Sequence, residues 1–519
     1  MEDTRKNVSS KWLALLVIII GTFMSTLDTS IVNIAISKMM AVYGVSLDDV
    51  KWILTAYTLT LGAIVPLAGY IGDFLGYKKL FLGSLAIFTV GSFLCGLAWS
   101  NTAMIIFRII QALGGGMIMP VGMALVMQLF PPEERGAAVG FYGVAAMAAP
   151  AIGPTLGGYI IQCMDWRLIF YINIPIGIIA IILGGVWLRE TPKKVFTGLD
   201  FIGFISSTVG IVSLLYVLGE GSTIDWNKVQ NPLLITLGCF SLVLFTIHEL
   251  GHPDPILELR ILKKFEFSLS QIVQCILVFV LMGGMYVVPL FLQNLRGYTP
   301  LETGLILFWP AMAQAFMMPV SGKLFYKVGA KVLSVTGLVI LAISSYALAF
   351  IDMDTSKSTI ILIMTIRGAG LGIVMMPIVT IGMNAVSNEL AGKASAFNNM
   401  IKQIAMSLGV TIITTIMQNR TNFNYGRLSE QVTGFNPAAS EMIAKFQGLF
   451  VQNGYSADQA GAVTMSALTG FVQKQANVDA IDYALMVCTI TVLAAFVAVL
   501  LMPGGKKGEN KSAAAITTE

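Results

Sequence analysis

The sequence predicts an all-α polytopic membrane protein, and three observations support this fold class. Of the 519 residues, 56% are hydrophobic and only 12% are charged, which is about half the charged share of a soluble domain. Apolar runs long enough to cross a bilayer as a helix recur along the whole chain. The short alternating segments that are typical of a membrane β-barrel are absent from the sequence.

We expect fourteen membrane-spanning helices. Their approximate bounds are residues 12–36, 50–71, 80–99, 102–130, 137–162, 168–189, 200–219, 232–250, 267–294, 303–325, 332–351, 359–385, 394–418 and 481–502. The first run is too long for the hydrophobic region of a cleaved signal peptide, so we expect it to be retained.

The basic residues predict the orientation. With the N-terminus inside, the inner segments hold roughly three times as many Lys and Arg residues as the outer loops, as the positive-inside rule requires. We therefore expect both termini to be cytoplasmic. The net charge of +4 is then a topology signal, and it does not indicate nucleic-acid binding.

An internal repeat divides the chain. Pro66, Gly69, Gly76 and Lys78 recur as Pro319, Gly322, Gly329 and Lys331, and Gly114, Gly116, Gly136, Ala138, Phe141 and Gly153 recur as Gly370, Gly372, Gly392, Ala394, Phe397 and Gly409. We predict an N-terminal six-helix bundle in residues 1–198 and an inserted two-helix pair in residues 199–252. A C-terminal six-helix bundle follows in residues 253–519. Duplicated halves are common in secondary transporters.

A long outer segment, residues 420–480, lies within the second half. Its apolar residues follow helical spacing, and Ser456 with Gln459 forms a capping-box pattern for a second helix. We expect an extracytoplasmic helical hairpin here. Two roles stay open, namely packing on loops or the membrane surface, and gating or docking of a partner.

Four charged residues lie deep in predicted spans: Asp28, Arg108, Arg367 and Lys402. An ionisable group at the bilayer centre costs at least about 2.5 kcal/mol, so each is a functional hypothesis. Asp28 is the one deep acid, about 12 Å from the outer end of its span, and Arg108 lies about 9 Å deep. They are therefore expected to meet. Such a pair either couples a proton to transport or is a static ion pair that fixes helix packing.

Three glycine-rich motifs surround this pair. GYIGDFLGYKK is expected to form a conformational latch between two spans, with Gly69, Asp73, Gly76, Lys78 and Lys79. IGPTLGG is expected to form a hinge or a packing seam, with Gly153, Pro154, Gly157 and Gly158. In RIIQALGGG, Arg108 and Gln111 share one helix face.

The substrate cavity is less well defined by the sequence. Polar or amphipathic residues near mid-membrane are candidates to line it: Gln111, Gln271, Gln274, Trp309, Gln314 and Arg367. The abundant methionines, 28 in all, suit a cavity that repacks around varied ligands.

Other classes of protein are disfavoured. The Gly-Lys pairs lack the rest of a phosphate-binding loop, so ATP is not expected to drive transport directly. His248, Glu249 and His252 have the spacing of an HExxH zinc motif, but Gly251 and Pro253 break the helix and no third ligand is apparent. We therefore expect a transporter rather than an enzyme, with no metal and no organic cofactor.

The chain resembles the major facilitator superfamily, specifically the 14-span drug:proton antiporters of the EmrB/QacA type. The resemblance rests on LDTSIVNIAI, GYIGDFLGYKK, RIIQALGGG, IGPTLGG, DWRLIFYINIPIG and PLFLQNLRGYTPLETG and covers nearly the whole chain. It implies two six-helix bundles with two inserted helices and export of amphipathic or cationic compounds by alternating access, driven by the proton gradient.

The resemblance also implies roles and surroundings. Asp28 and Arg108 would serve proton coupling, Asp73 the latch, and Gly153 with Pro154 the antiporter hinge. The protein would be a monomeric transport unit in a bacterial cytoplasmic membrane, with small amphipathic molecules, protons and the lipid bilayer as its partners. A periplasmic adaptor is a further expected partner if the cell has an outer membrane.

Two points stay open from the sequence. Phe74 and Tyr77 stand where the family often has basic latch residues, so the latch either is weaker or uses Lys78 and Lys79. The alternative function is proton-coupled export of a specific endogenous metabolite, such as a peptide, a siderophore or a lipid-like compound.

Overall fold

The fold is helical throughout the described chain. The computed structural model describes residues 2–191, 193, 200–219, 224, 225, 227–432 and 437–502. Among these residues, thirteen helices are long and apolar enough to cross a membrane, and the bent pair α2–α3, defined below, supplies a fourteenth span. The predicted all-α fold is confirmed, and the described helices give the expected fourteen spans when the bent pair is counted as one span.

The α-helices are grouped here by the predicted halves and insert. The first half holds α1 (Glu2–Tyr43), α2 (Leu47–Ile64), α3 (Leu67–Leu75), α4 (Tyr77–Gly96), α5 (Asn101–Leu129), α6 (Pro132–Cys163), α7 (Leu168–Tyr171) and α8 (Asn173–Trp187). The insert is α9 (Phe201–Gly219) and α10 (Gln230–Gly251). The second half holds α11 (Phe265–Leu290), α12 (Pro300–Val328), α13 (Ala330–Leu348), α14 (Lys357–Asn384), α15 (Ala391–Ser429), α16 (Pro437–Gln452) and α17 (Ala457–Leu500).

The second span is broken at Pro66. The helices on either side of the break, α2 and α3, meet at 55°. Proline has no backbone N–H and its ring collides with the carbonyl one turn earlier, so a straight helix cannot continue through it. The sequence analysis treated this span as unbroken.

The inserted pair lies against both halves. Helix α9 packs on α2 of the first half and on α15 of the second, while α10 packs mainly on α9. On the first half, the rings of Trp52 and Tyr216 lie 5.8 Å apart. On the second, the Thr411 hydroxyl donates to the Leu218 carbonyl. The insert therefore bridges the halves along one side.

The halves meet closely at one end of the bundle. We call it the basic end because α1 and α17 begin and end there, with Lys11, Lys78 and Lys331 nearby. A Cβ on Gly69 would lie 2.8 Å from the Gly392 carbonyl, and one on Gly136 would lie 2.9 Å from the Gly322 oxygen. Gly69 matches Gly322 in the repeat, and Gly136 matches Gly392. The same backbone contact is thus made twice, with the halves exchanged.

Polar contacts reinforce this closure. Arg135 of the first half donates from Nη2 to the Asn388 side chain of the second half at 2.6 Å. The Ser395 hydroxyl donates to the Pro120 carbonyl at 2.8 Å. Glycine seams and hydrogen bonds together hold the basic end shut in this conformation.

The opposite end, which we call the hairpin end, carries the long outer segment. Helix α15 continues to Ser429, α16 folds back, and α17 runs unbroken from Ala457 to Leu500. The predicted capping box of Ser456 and Gln459 is present at the start of α17. The rings of Phe446 and Phe471 lie 5.8 Å apart and pack α16 on α17.

We expect Gly136→Val to open the basic end. Its side chain would meet the Gly322 backbone, which cannot move aside without separating α6 from α12. A cost of about 1.4 kcal/mol to the closed state lowers the ratio of closed to open protein about tenfold. The measurement is the maleimide reactivity of a cysteine at buried Ser395 in a background without native cysteines. Gly83→Val, where an added Cβ meets nothing within 4 Å, is the matched control. Equal reactivity in both variants would contradict the role of the seam.

Candidate functional site

The two deep charges predicted to meet are in contact. Arg108 Nη1 lies 2.6 Å from Asp28 Oδ2, and both side chains are completely buried. Asp28 comes from the middle of α1 and Arg108 from the first third of α5. A buried carboxylate needs a charge partner or several donors, and this site supplies both.

Two amides complete the shell of Asp28. Gln111 Nε2 and Asn173 Nδ2 donate to Oδ1 at 2.9 and 2.8 Å. Both amides also reach the Ser92 hydroxyl, at 2.6 and 3.3 Å. Arg108 Nη1 in turn donates to Gln111 Oε1 at 2.6 Å. Side chains from α1, α4, α5 and α8 thus form one buried polar cluster, which we call the Asp28 cluster.

Gln111 is therefore corrected from a cavity residue to a member of the Asp28 cluster. It lies one turn after Arg108, so a single face of α5 presents both side chains to Asp28. A Cβ at Gly91 would lie 2.5 Å from Gln111 Cα, and one at Gly114 would lie 2.5 Å from the Phe88 nitrogen. These glycines let α4 and α5 approach closely enough to bring Ser92 within reach.

An aromatic ring covers the guanidinium. The Tyr57 ring of α2 lies 3.7 Å from Arg108 Cζ, a cation–π distance. Within the described chain, Arg108 Nε and Nη2 have no hydrogen-bond partner. Arg108 is therefore held by Asp28, Gln111 and the ring, and it keeps donors that are free to change partner.

The predicted hinge lies beside Asp28. A Cβ at Gly153 would lie 2.4 Å from Ser30 Oγ, and one at Gly157 would lie 3.2 Å from Ile31 Cγ2. These residues pack α6 on α1 within one turn of Asp28. Gly158 differs, because an added Cβ there meets nothing within 4 Å. Pro154 lies within α6, and its side chain is outside the described residues.

The predicted latch is centred on Gly69 and a tyrosine. The Tyr77 hydroxyl donates to Asp73 at 2.8 Å, and an added Cβ on Gly392 of the second half would overlap it. Lys78 points elsewhere and donates to the Gly185 carbonyl of α8 at 2.8 Å.

The remaining latch residues lie around this contact. Gly76 ends α3 with φ +90°, a conformation that favours glycine. The Lys79 side chain is exposed. The contact with the second half is thus made by backbone and Tyr77.

Two predicted cavity residues line a cavity of about 80 Å³ in the second half near Pro150 of α6. They are Gln314 and Arg367. The Arg367 guanidinium donates to the Val280 carbonyl and to Ser345 Oγ, so it is bound by the protein itself. Trp309 is a correction: its side chain is 55% exposed and is not among those lining this cavity.

A second cavity, of about 50 Å³, lies between the halves. Its methionines are Met119, Met123, Met318, Met375 and Met376. Gln274, Asn398, Asn399 and Lys402 supply its polar lining. Lys402 forms no hydrogen bond or ion pair with any residue that the structure describes. Gln271, the last of the predicted cavity residues, is buried beside Ser270 and is not among those lining either cavity.

The sequence analysis missed three members or neighbours of the Asp28 cluster. They are Tyr57, Ser92 and Asn173. Asn173 had a visible signal, since it is the one amide in the apolar run of DWRLIFYINIPIG. Ser92 and Tyr57 had none, because both residue types are common in membrane helices.

Comparisons with known proteins agree with this architecture. The Major Facilitator Superfamily profile matches residues 18–410. The uncharacterized MFS-type transporter YhcA of Bacillus subtilis (strain 168) is 35% identical over 496 residues, covering 95% of this chain and 93% of that protein. The multidrug export protein EmrB of Escherichia coli (strain K12) is 29% identical over 435 residues, covering 83% and 85%.

A solved structure supports the same fold. The proton:xylose symporter XylE matches with a TM-score of 0.57 at 15% identity, over 96% of this chain and 98% of that one. The predictions of a transporter and of a multi-span membrane protein are confirmed. The chain belongs to the Major Facilitator Superfamily and is related to its multidrug exporters of the EmrB type.

Proposed function

We propose that this protein is a proton-coupled exporter of amphipathic, often cationic compounds that works by alternating access. It acts in a bacterial cytoplasmic membrane with both termini in the cytoplasm, as a monomer that uses the proton gradient and no organic cofactor. In a cell with an outer membrane, a periplasmic adaptor protein would extend the export route beyond the cytoplasmic membrane. The observation that carries the proposal is the buried Asp28–Arg108 pair, with Nη1 and Oδ2 2.6 Å apart.

The chemistry of the Asp28 cluster suits a proton carrier. Asp28 accepts hydrogen bonds from Arg108, Gln111 and Asn173, an arrangement that suits a carboxylate acting as an acceptor. Adding a proton would remove the charge that holds Arg108 and place an O–H against the donors of Gln111 or Asn173. The cluster would then have to rearrange. Protonation and side-chain arrangement are therefore linked.

The surroundings connect this rearrangement to helix movement. Asp28 is only 1% exposed, so a proton reaches it only when the packing around it opens. Two and three residues after Asp28, Ser30 and Ile31 pack against the α6 glycines. Helix α6 also forms the glycine seam with α12 at the basic end. One helix thus joins the proton site to the contact between the halves.

Substrates would bind between the halves. The Met-lined cavity at Lys402 lies above the closed basic end, and methionine side chains adapt to varied apolar shapes. At about 50 Å³ the cavity is too small for a drug-sized ligand, which needs several hundred Å³. Binding therefore requires the halves to part. The name of EmrB supports a drug as the substrate.

A second candidate is export of an amphipathic anion, a lipid-like metabolite. Lys402 favours it, because an ammonium without an ion-pair partner in the described chain attracts a carboxylate in an apolar cavity. Asn398 and Asn399 offer further donors nearby.

Asp28→Asn is expected to abolish transport driven by a pH gradient. The amide keeps the shape but cannot exchange a proton, so uptake of a fluorescent lipophilic cation into proteoliposomes should fall at least about tenfold. Substrate counterflow without a gradient should persist, which shows that the variant is folded. Asp225→Asn, at an exposed carboxylate, is the control. Gradient-driven uptake at the wild-type rate would place the proton site elsewhere.

Gly153→Val is expected to slow transport at least about tenfold, since its side chain would collide with Ser30 and separate α6 from α1 beside Asp28. Gly158→Val adds the same side chain five residues later, into open space, and should stay within about twofold of wild type. Transport rates, with size-exclusion profiles to check folding, test the pair. Similar rates for both variants would disprove a specific role for the α1–α6 seam.

Lys402→Met distinguishes the two substrate classes. If the substrate is an amphipathic anion, a medium-chain fatty acid should compete with transport in wild type, and the variant should lose this competition by at least about tenfold. Transport of a lipophilic cation should be retained or increased. Lys263→Met, at an exposed lysine, is the control. Competition that is unchanged in Lys402→Met would rule out the anion site at this lysine.

A further inference from the structure

The only two histidines of the chain lie together at the basic end of the insert. His248 is in the last turn of α10, and His252 is the residue that caps this helix. Their ring centroids are 5.2 Å apart. The helix ends at Gly251, as the sequence analysis expected, yet the break leaves both imidazoles on the same side.

A carboxylate from the other inserted helix joins them. Asp200 caps α9, since Oδ1 accepts the Gly203 N–H at 2.8 Å, and the same oxygen lies 2.7 Å from His248 Nε2. Its side chain is only 2% exposed, and Oδ2 has no hydrogen-bond partner in the described chain. Asp200 is the third ligand that the sequence did not reveal.

A second buried carboxylate faces the same gap. Glu249 is 1% exposed, and its carboxylate lies against the backbone N–H groups of Ile256 and Leu257 with no side-chain donor among the described residues. A Cβ built on Gly203 would lie 2.3 Å from Asp200 Oδ2 and 2.8 Å from Glu249 Oε1, so the two carboxylates approach each other. The nearby Lys393 is engaged with Asp254 and the Pro255 carbonyl. Two buried carboxylates that approach each other repel, and a cation between them would remove this repulsion.

The donor set suits a divalent transition metal. Imidazole nitrogen and carboxylate oxygen are ligands that Zn²⁺ prefers. One ligand atom from each of Asp200, His248 and His252 lies within 4.8 Å of the others. A tetrahedral zinc with bonds of about 2.0–2.2 Å needs only a small inward rotation of these side chains.

We propose that Asp200, His248 and His252 form a binding site for a zinc-class divalent ion. The ion joins the start of α9 to the end of α10. The chain that follows His252 carries Asp254 and Pro255, which bind Lys393 of α15. A bound ion therefore fixes the insert where it contacts the second half and favours the closed basic end.

The test uses the full-length, chelator-treated protein purified through a tag that contains no histidine. Titration with ZnCl₂ by calorimetry should give one ion per chain, and CoCl₂ should give the visible absorption of a tetrahedral site with nitrogen and oxygen ligands. The double variant His248→Gln, His252→Gln removes every imidazole of the chain and should abolish both signals.

The variant Asp200→Asn distinguishes loss of zinc binding from loss of folding. Asparagine caps helices as well as aspartate, so α9 should be kept while zinc affinity falls at least about tenfold. Asp225→Asn should bind as wild type does. Failure of wild type to bind either ion would overturn the proposal. Equal binding by the histidine-free variant would also overturn it and indicate adventitious binding.

Discussion

The structure depends on one constraint: a charged carboxylate in the middle of a membrane helix must have its charge balanced at all times. Asp28 meets this requirement through Arg108 and Gln111 of α5 and through the amide of Asn173 of α8. Removing any of them leaves a buried polar group unsatisfied. The close packing of α4 on α5 at Gly91 brings Ser92 to the two amides, and the packing of α6 on α1 at Gly153 supports the helix that carries Asp28.

The two halves share a backbone plan but differ in charge. Both contribute equivalent glycines to the seams at the basic end, where Gly69 meets Gly392 and Gly136 meets Gly322. The Asp28 cluster, in contrast, lies wholly within the first half. Arg367 of the second half is bound by the Val280 carbonyl, and no ion pair joins it to an acid of the described chain. Duplication thus accounts for the glycine seams through which the halves contact each other. The deep acid, Asp28, belongs to the first half alone. Lys402 of the second half places a basic side chain in the cavity between the halves.

Much of this arrangement could be predicted from the sequence, because the physics involved is local. Span positions follow from apolar run length, and the depth of Asp28 and Arg108 along their helices predicted that they meet. Side-chain direction could not be obtained in this way. The depth of Gln111 and Trp309 was compatible with a cavity, but helix rotation turns the first toward Asp28 and leaves the side chain of the second 55% exposed. The approach of Asp200 to His248 depends on how α9 packs on α10, which no sequence spacing encodes.

The length of the last helix has a mechanical consequence. Helix α17 holds 44 residues, of which those before residue 481 extend beyond the predicted span. At 1.5 Å per residue this extension is about 36 Å long, and it has α16 packed along it. Because the helix is unbroken, a tilt of the span by about 10° would swing the tip near Tyr455 by about 6 Å. The position of the hairpin outside the membrane therefore changes with the tilt of the second half inside the membrane.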